Sequence, residues 1–255
     1  LALTSCAQSE RDDGGDDNQG STGAQGDEGS EASDATFIFG AAGAPKLFDP
    51  FYASDGETFR VTRQIYEQLL DFEPGQATTR PGLAESYESS EDGLTWTFKI
   101  REGVKFHDGT DLDAEAVCYN FERWYNQTGA ATESAVTYYW NNNFGGFAGE
   151  DEESLYESCT VEDEMTAVVK ITRYTSKFPD ILAHGAYAIH SPTALEQYDA
   201  NNVQAQGEGF VYPEYALEHP TGTGPFKFAG YDDANGVVTL ERNEDYWGEK
   251  AGVAK

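Results

Sequence analysis

The sequence predicts a mixed α/β (α+β) fold, in which short strands and amphipathic helices alternate along the chain. Residues 94–101 alternate apolar and polar side chains, as expected for a strand with one buried face. Residues 57–70 place apolar side chains on one side of a predicted helix. Asn235-Gly236 lies between two apolar runs and is typical of a tight hairpin turn. These patterns indicate a folded region that extends from about residue 36 to residue 255.

The remaining elements are predicted in chain order from the same kinds of signal. A short apolar strand is expected at residues 36–39, where the folded region opens. Val104 and Phe106 resume the strand alternation, and Asp108-Gly109 supplies a turn that needs a positive φ. Asp113 is expected to cap the next helix. Further predictions are a strand at residues 161–171, helices at 178–183 and 193–198, and strands on either side of the turn at 235–236.

The composition is strongly acidic. The 255 residues include 46 Asp and Glu against 16 Lys and Arg, for a formal net charge of -30. Non-specific binding to nucleic acid is excluded, because phosphate contacts depend on Lys and Arg. The acidic residues are dispersed, so we interpret them as a solvated surface of the kind that suits a saline habitat, rather than as a binding site. An aromatic content of 13% favours one or two packed cores over a disordered chain.

Two groups of short motifs resemble a known family. The first group reads LAESY (83–87), EDG (91–93), WTF (96–98), REGVKFHDG (101–109) and AEAV (114–117). The second reads GTGPF (222–226), LERN (240–243) and DYW (245–247). Their order and separation resemble the family 5 solute-binding proteins of ABC importers, the group of dipeptide-, oligopeptide- and nickel-binding proteins. The resemblance covers nearly all of residues 35–255.

The resemblance implies a periplasmic-binding-protein-like class II fold, here the N-terminal lobe with the extra β-rich subdomain of the peptide-binding group. Because family members are longer, we expect that the C-terminal lobe is missing. The implied function is the capture of an extracellular solute, most often a peptide, and its delivery to the permease subunits of an ABC importer. We expect a monomer that is not an enzyme and holds no cofactor.

The first residues resemble a lipoprotein signal. Leu3-Thr4-Ser5-Cys6 fits a bacterial lipobox, so residues 1–6 are interpreted as the remnant of a signal peptide and Cys6 as the lipidated residue. Residues 7–35 are acidic and rich in Gly and Ser, a composition typical of a disordered tether. The chain would then be anchored by lipid to the outer face of the cell membrane, or be periplasmic. The alternative is a chance cysteine in a disordered tail.

Two cysteines remain if Cys6 carries lipid. An extracytoplasmic location permits a disulfide between Cys118 and Cys159, which would close a loop of about 40 residues and contribute ~3–4 kcal/mol in the chain-entropy model. The alternative is a pair of buried thiols. Neither cysteine belongs to a C-x-x-C motif of the kind found in redox or zinc sites.

Three segments are predicted to face a ligand: the loop at 51–58, the aromatic and Asn-rich segment at 138–144, and residues 223–224. Clefts combine apolar rings with a few orienting polar groups, although each ring could equally pack onto its own domain. The predicted ligand-binding residues are Tyr52, Asp55, Thr58, Tyr138, Tyr139, Trp140, Thr223 and Gly224.

Catalytic and metal-binding motifs are absent from the sequence. There is no G-x-S-x-G elbow, no H-E-x-x-H pair and no phosphate-binding P-loop, so we predict no catalytic residue and no metal ligand. Two alternatives to transport stay open at this stage. One is an extracellular hydrolase on a β-rich domain, and the other is a surface sensor or adhesin that uses the same fold.

Overall fold

The computed structural model describes residues 34–255, and the predictions for Cys6 and for the tether up to residue 33 lie outside the described residues. The helices are α1 (Gly56–Ile65), α2 (Ala114–Tyr125), α3 (Tyr138–Asn143), α4 (Phe178–Leu182), α5 (Pro192–Gln197) and α6 (Glu214–Glu218). The strands are β1 (Leu70–Phe72), β2 (Thr79–Pro81), β3 (Ala84–Ser89), β4 (Thr95–Ile100), β5 (Tyr156–Asp163), β6 (Thr166–Ile171), β7 (Gln204–Gln206), β8 (Gly209–Val211), β9 (Phe226–Asp232) and β10 (Val237–Arg242).

The largest sheet has four antiparallel strands in the order β3-β4-β6-β5. In β4 the side chains of Trp96, Phe98 and Ile100 are buried, so the predicted alternating strand is confirmed. Helix α2 packs on this sheet, and Cys118 of α2 forms the predicted disulfide with Cys159 of β5. The disulfide therefore ties the helix covalently to the sheet that it covers.

The core beside this sheet is aromatic. Trp124 of α2 lies 5.0 Å from Phe121 and 5.5 Å from Tyr187, measured between ring centroids. Trp140 of α3 stacks on Phe144 at 4.2 Å with an interplanar angle of 7°. All five side chains are almost fully buried, and each such burial contributes ~1.5–3 kcal/mol. The Asn-rich segment is thus anchored through its rings.

Helix α1 is shorter than predicted. The sequence suggested a helix through residue 70, but α1 ends at Ile65 and Tyr66 is extended, with φ -120° and ψ 157°. The backbone beyond it pairs with another segment, because Gln68 and Leu69 accept hydrogen bonds from the 82–84 backbone. The helical spacing of apolar residues therefore continues past the end of α1, but backbone pairing with residues 82–84 keeps the segment after Ile65 out of the helix.

Three predicted strands are wrong in detail. Val104 and Phe106 are buried, but they lie in a loop and not in a strand. The turn at Gly109 leaves room for one isolated β-bridge, between Lys105 and Asp111, and not for a longer ladder of paired residues. Residues 161–171 form parts of two strands, β5 and β6, which reverse at residues 164–165. Residues 36–39 are exposed and form no strand, and only Phe37 among them donates a backbone hydrogen bond, to Lys255, within the described chain.

Several local predictions are confirmed. Asp113 caps α2 by accepting a hydrogen bond from the Ala116 amide at 2.7 Å. Gly109 has a φ of +88°, as its turn requires. The hairpin between β9 and β10 contains Gly236 at φ +64°. The predicted helices near residues 178 and 193 are α4 and α5.

The β9–β10 hairpin packs against α1. Phe228 of β9 and Leu240 of β10 pack with Val61 and Ile65 of α1. This contact leaves the N-terminal end of α1 at the surface. Within residues 34–255, no helix combines the length and the apolar character needed to cross a bilayer.

Candidate functional site

A cavity of about 340 Å³ opens beside the N-terminal end of α1. Its walls come from the loop before α1, from the exposed side of α1, from α3 and from the segment after α4. The side chains that matter below are Asp55, Phe59, Arg60, Arg63, Tyr139 and His184. Of the predicted ligand-binding residues, Asp55 and Tyr139 line this cavity, and their ligand contact stays a prediction.

Asp55 caps α1. Its Oδ1 atom accepts hydrogen bonds from the backbone amides of Glu57 at 3.1 Å and Thr58 at 2.9 Å, and its Oδ2 atom accepts one from the Thr58 hydroxyl at 3.0 Å. These amides would otherwise lack partners at the helix terminus. Thr58 is fully buried and completes the cap. Of these two predicted ligand residues, only Asp55 therefore has side-chain surface in the cavity.

Three aromatic rings line the same cavity as Asp55. The His184 ring lies 4.1 Å from the Tyr139 ring and 5.4 Å from the Phe59 ring, between centroids. Nδ1 of His184 accepts a hydrogen bond from the Ala186 amide at 3.2 Å. Burial, followed by the positive charge of Arg63, lowers the pKa of His184. The imidazole is therefore neutral near pH 7, with its proton on Nε2.

Three other residues of the predicted ligand-facing segments 51–58 and 138–144 lie outside this cavity. Tyr138 is 48% exposed and packs edge-on against Tyr139 at 5.2 Å. Trp140 is fully buried and donates its indole N–H to the carbonyl of Gly146 at 3.3 Å. Tyr52 is 2% exposed, and its hydroxyl lies 3.0 Å from Oε1 of Gln127. The rings of Trp140 and Tyr52 offer no surface to a ligand, because the core on which they pack encloses them.

Thr223 and Gly224 are buried as well, and they join segments rather than face the cavity. The Thr223 hydroxyl donates to Oε2 of Glu67 at 2.8 Å, and the Gly224 amide donates to the carbonyl of Ile65 at 2.9 Å. A Cβ atom on Gly224 would lie 2.6 Å from the carbonyl oxygen of Gln64. A side chain at this position would therefore force the neighbouring backbone to shift.

Glu67 is the centre of a polar cluster that the sequence reasoning missed. Besides Thr223, it accepts hydrogen bonds from the Tyr246 hydroxyl and the Trp247 indole N–H, both at 2.8 Å. Burial raises the pKa of Glu67, and the hydrogen bonds from Trp247, Tyr246 and Thr223 act in the opposite direction. Glu67 thus joins the chain just after α1 to two motifs of the second group, 222–226 and 245–247. Part of the signal was available, since Thr223, Tyr246 and Trp247 all lie in the second motif group.

The loop before α1 is held by a buried ion pair. Asp49 accepts hydrogen bonds from the Phe51 amide at 3.0 Å and from the guanidinium of Arg123 at 2.5 Å. His190 lies next to this pair, with Nε2 3.7 Å from Asp49 Oδ1, and its Nδ1 is 2.8 Å from the hydroxyl of Tyr215. Burial lowers the pKa of His190 to about 3. These contacts position the loop that carries Asp55.

A second cavity, of about 260 Å³, lies between the 107–108 turn, α5 and α6. At its edge Glu214, Glu218 and His219 form a group with ligand-type atoms within 4.8 Å of one another. All three residues are at least partly exposed, and His219 is engaged with Glu214 at 3.0 Å. Exposed acidic groups of this kind are common without a metal, so we assign none.

Comparison with solved structures identifies the class of protein. The fold resembles DppA from Helicobacter pylori, an ABC transporter-associated periplasmic binding protein in complex with the peptide STSA, with 29% identity and a TM-score of 0.66. The match covers 83% of this chain and 40% of that chain. HbpA2 from Haemophilus parasuis matches with 30% identity and the same TM-score, over 82% of this chain and 40% of that chain. The chain therefore has the fold of a periplasmic binding protein.

The family follows from the sequence match. Residues 78–255 match the family of bacterial extracellular solute-binding proteins, family 5 Middle, and the chain belongs to this family. This is a family of transport-associated binding proteins, as the motifs implied. The glutathione-binding protein GsiB of Pectobacterium atrosepticum is 32% identical over 207 residues, which make up 81% of this chain and 34% of that relative. The chain spans about a third of the length of the curated relatives it matches.

The sequence reasoning missed four side chains of the first cavity: Phe59, Arg60, Arg63 and His184. Arg60 and Arg63 are spaced i, i+3, so they lie on neighbouring parts of the α1 surface. Two arginines so close together are conspicuous in a chain with 46 acidic and 16 basic residues, and this signal was available. No sequence signal placed His184 beside them, because it comes from a distant segment.

Proposed function

We propose that this chain supplies ligand-binding surface in the solute-binding component of an ABC importer, and that the solute is a short peptide or a peptide-like compound such as glutathione. The cavity beside α1 carries the proposal, since it joins an aromatic wall to free polar groups on a lobe of the family fold. Membership in family 5 and the 32% identity to GsiB support it. The component binds its ligand without chemical turnover and delivers it to permease subunits.

The test measures binding of dipeptides, tripeptides and glutathione by titration calorimetry. Because the chain spans about a third of its relatives' length, both the complete gene product and the 255-residue chain are titrated. Tyr139→Ala should weaken binding by ~1–3 kcal/mol, because it removes a ring from the cavity wall. Tyr174→Ala is the matched control, since Tyr174 is 66% exposed and lies outside the cavity. Equal affinity for the two variants would contradict the proposed site.

We further propose that Cys6 is lipidated, and that the acidic segment behind it holds the binding domain away from the membrane. The lipobox-like residues 3–6 and the polar composition of residues 7–35 support this proposal. Expression of the complete precursor in a bacterium, followed by membrane fractionation, tests it. A Cys6→Ser protein that partitions to the membrane as fully as the parent would refute the lipid anchor.

A further inference from the structure

The ionisable groups of the α1 cavity differ in sign from the chain as a whole. Its lining holds two arginines and one carboxylate, whereas the chain carries a formal net charge of -30. The carboxylate, Asp55, already accepts three hydrogen bonds from the first turn of α1. It is therefore committed to the helix cap, and its acceptor capacity is largely used before a ligand arrives.

The two arginines are not equivalent. Arg60 donates through Nε and a terminal nitrogen to both oxygens of Glu57, at 3.1 and 3.2 Å, and its guanidinium lies 5.2 Å from the centre of the Phe39 ring. Arg63 lies one turn further along α1. Among residues 34–255, no hydrogen bond or ion pair engages its side chain. Its five N–H donors are consequently available on the cavity wall.

His184 adds a neutral donor to the same wall. Its Nδ1 atom is occupied by the Ala186 amide, so Nε2 carries the ring proton. The ring is held against Tyr139 at 4.1 Å and against Phe59 at 5.4 Å. The cavity thus offers a free guanidinium and a fixed N–H beside apolar rings. An anionic group attached to an apolar body fits this arrangement.

We infer that Arg63 binds the C-terminal carboxylate of a peptide ligand in the α1 cavity, and that His184 donates a second hydrogen bond to the same end of the ligand. The planar fork of a guanidinium matches the two oxygens of a carboxylate, which makes this pairing both strong and directional. Phe59 and Tyr139 would contact the last side chain of the peptide. This inference rests on the proposed function, and it narrows the ligand to peptides with a free carboxyl terminus.

A double-mutant cycle tests the contact in the complete gene product. The tightest peptide from the binding assay is prepared with a free C-terminal carboxylate and as the C-terminal amide, and both forms are titrated into wild type and Arg63→Gln. Wild type should bind the acid about tenfold or more tightly than the amide, as expected for a hydrogen-bonded charge. In Arg63→Gln this ratio should fall close to one. Arg63→Lys, which keeps the charge but loses the fork, should retain part of the ratio.

Arg173→Gln is the matched control. Arg173 is exposed, lies outside the cavity and has no hydrogen bond or ion pair among the described residues, so this variant changes the net charge equally and should keep the full ratio. A ratio that is unchanged in Arg63→Gln would overturn the inference and leave the proposed function intact. If no peptide binds in either form, the proposed function and the inference fail together.

Discussion

Replacement of Glu67 by Ala should destabilise the fold by ~3 kcal/mol. The carboxylate accepts hydrogen bonds from Thr223, Tyr246 and Trp247, each at 2.8 Å. A hydrogen bond to a charged group contributes ~1.5–3 kcal/mol, and a buried donor without a partner costs ~1–3 kcal/mol. Thr223 is fully buried and would lose its partner, whereas Tyr246 and Trp247 are half-buried and can regain water. The variant no longer buries the charged carboxylate of Glu67, and the desolvation cost that it thereby avoids offsets part of the lost stability.

Glu67→Gln separates the hydrogen bonds from the charge. The amide oxygen still accepts from two donors and the Tyr246 hydroxyl can reorient, so this variant should lose no more than ~1 kcal/mol. Burial raises the folded-state pKa of Glu67 above its ordinary 4.5. The folded state therefore binds more protons than the unfolded state near that pKa, and wild type should lose stability relative to Glu67→Gln as the pH rises above 4.5.

Urea unfolding followed by tryptophan fluorescence measures both variants. Glu91→Ala is the matched control, because Glu91 is exposed in a turn and makes no hydrogen bond or ion pair in the described part of the chain. Its effect should stay within ~0.5 kcal/mol. If Glu67→Ala unfolds at the same urea concentration as Glu91→Ala, the polar cluster does not hold the chain after α1 to the second motif group as we describe.

Three other predictions follow from the fold. Removal of the disulfide by the double change Cys118→Ser and Cys159→Ser should lower the free energy of unfolding by ~4 kcal/mol in the chain-entropy model, and an unchanged urea midpoint would refute this. Acidification from pH 7 to pH 5 should lower the free energy of unfolding by ~2 kcal/mol through His190, because the pKa of its imidazole is about 3 in the folded state and 6.5 in the unfolded state. The His190→Gln variant should show a weaker dependence of stability on pH over this range. Gly224→Ala should cost ~1–3 kcal/mol, because its Cβ would lie 2.6 Å from a backbone oxygen, while Gly40→Ala, in open space, should be near neutral in the same assay.

The features that sequence reasoning predicted well are those with local causes. The strand at residues 95–100 follows from its two-residue period, and the start of α2 follows from the Asp113 cap. The turn at Gly109 follows from a requirement for positive φ. The family could also be inferred, because its motifs combine such local signals in a fixed order. In each case the responsible atoms lie within a few residues of one another.

The end of α1 and the functional surface depended on contacts between distant segments. The apolar residues after Ile65 fit a helix, yet backbone pairing with residues 82–84 gives them an extended conformation. Whether an aromatic ring lies in the core or in a cavity depends on long-range packing, so adjacent Tyr139 and Trp140 have opposite positions although they were predicted alike. The cavity exists because the segments that carry Arg63, Tyr139 and His184 meet in space. Of these three residues, the sequence supplied only Tyr139 as a candidate, since spacing along a chain does not encode the distance between side chains from separate elements.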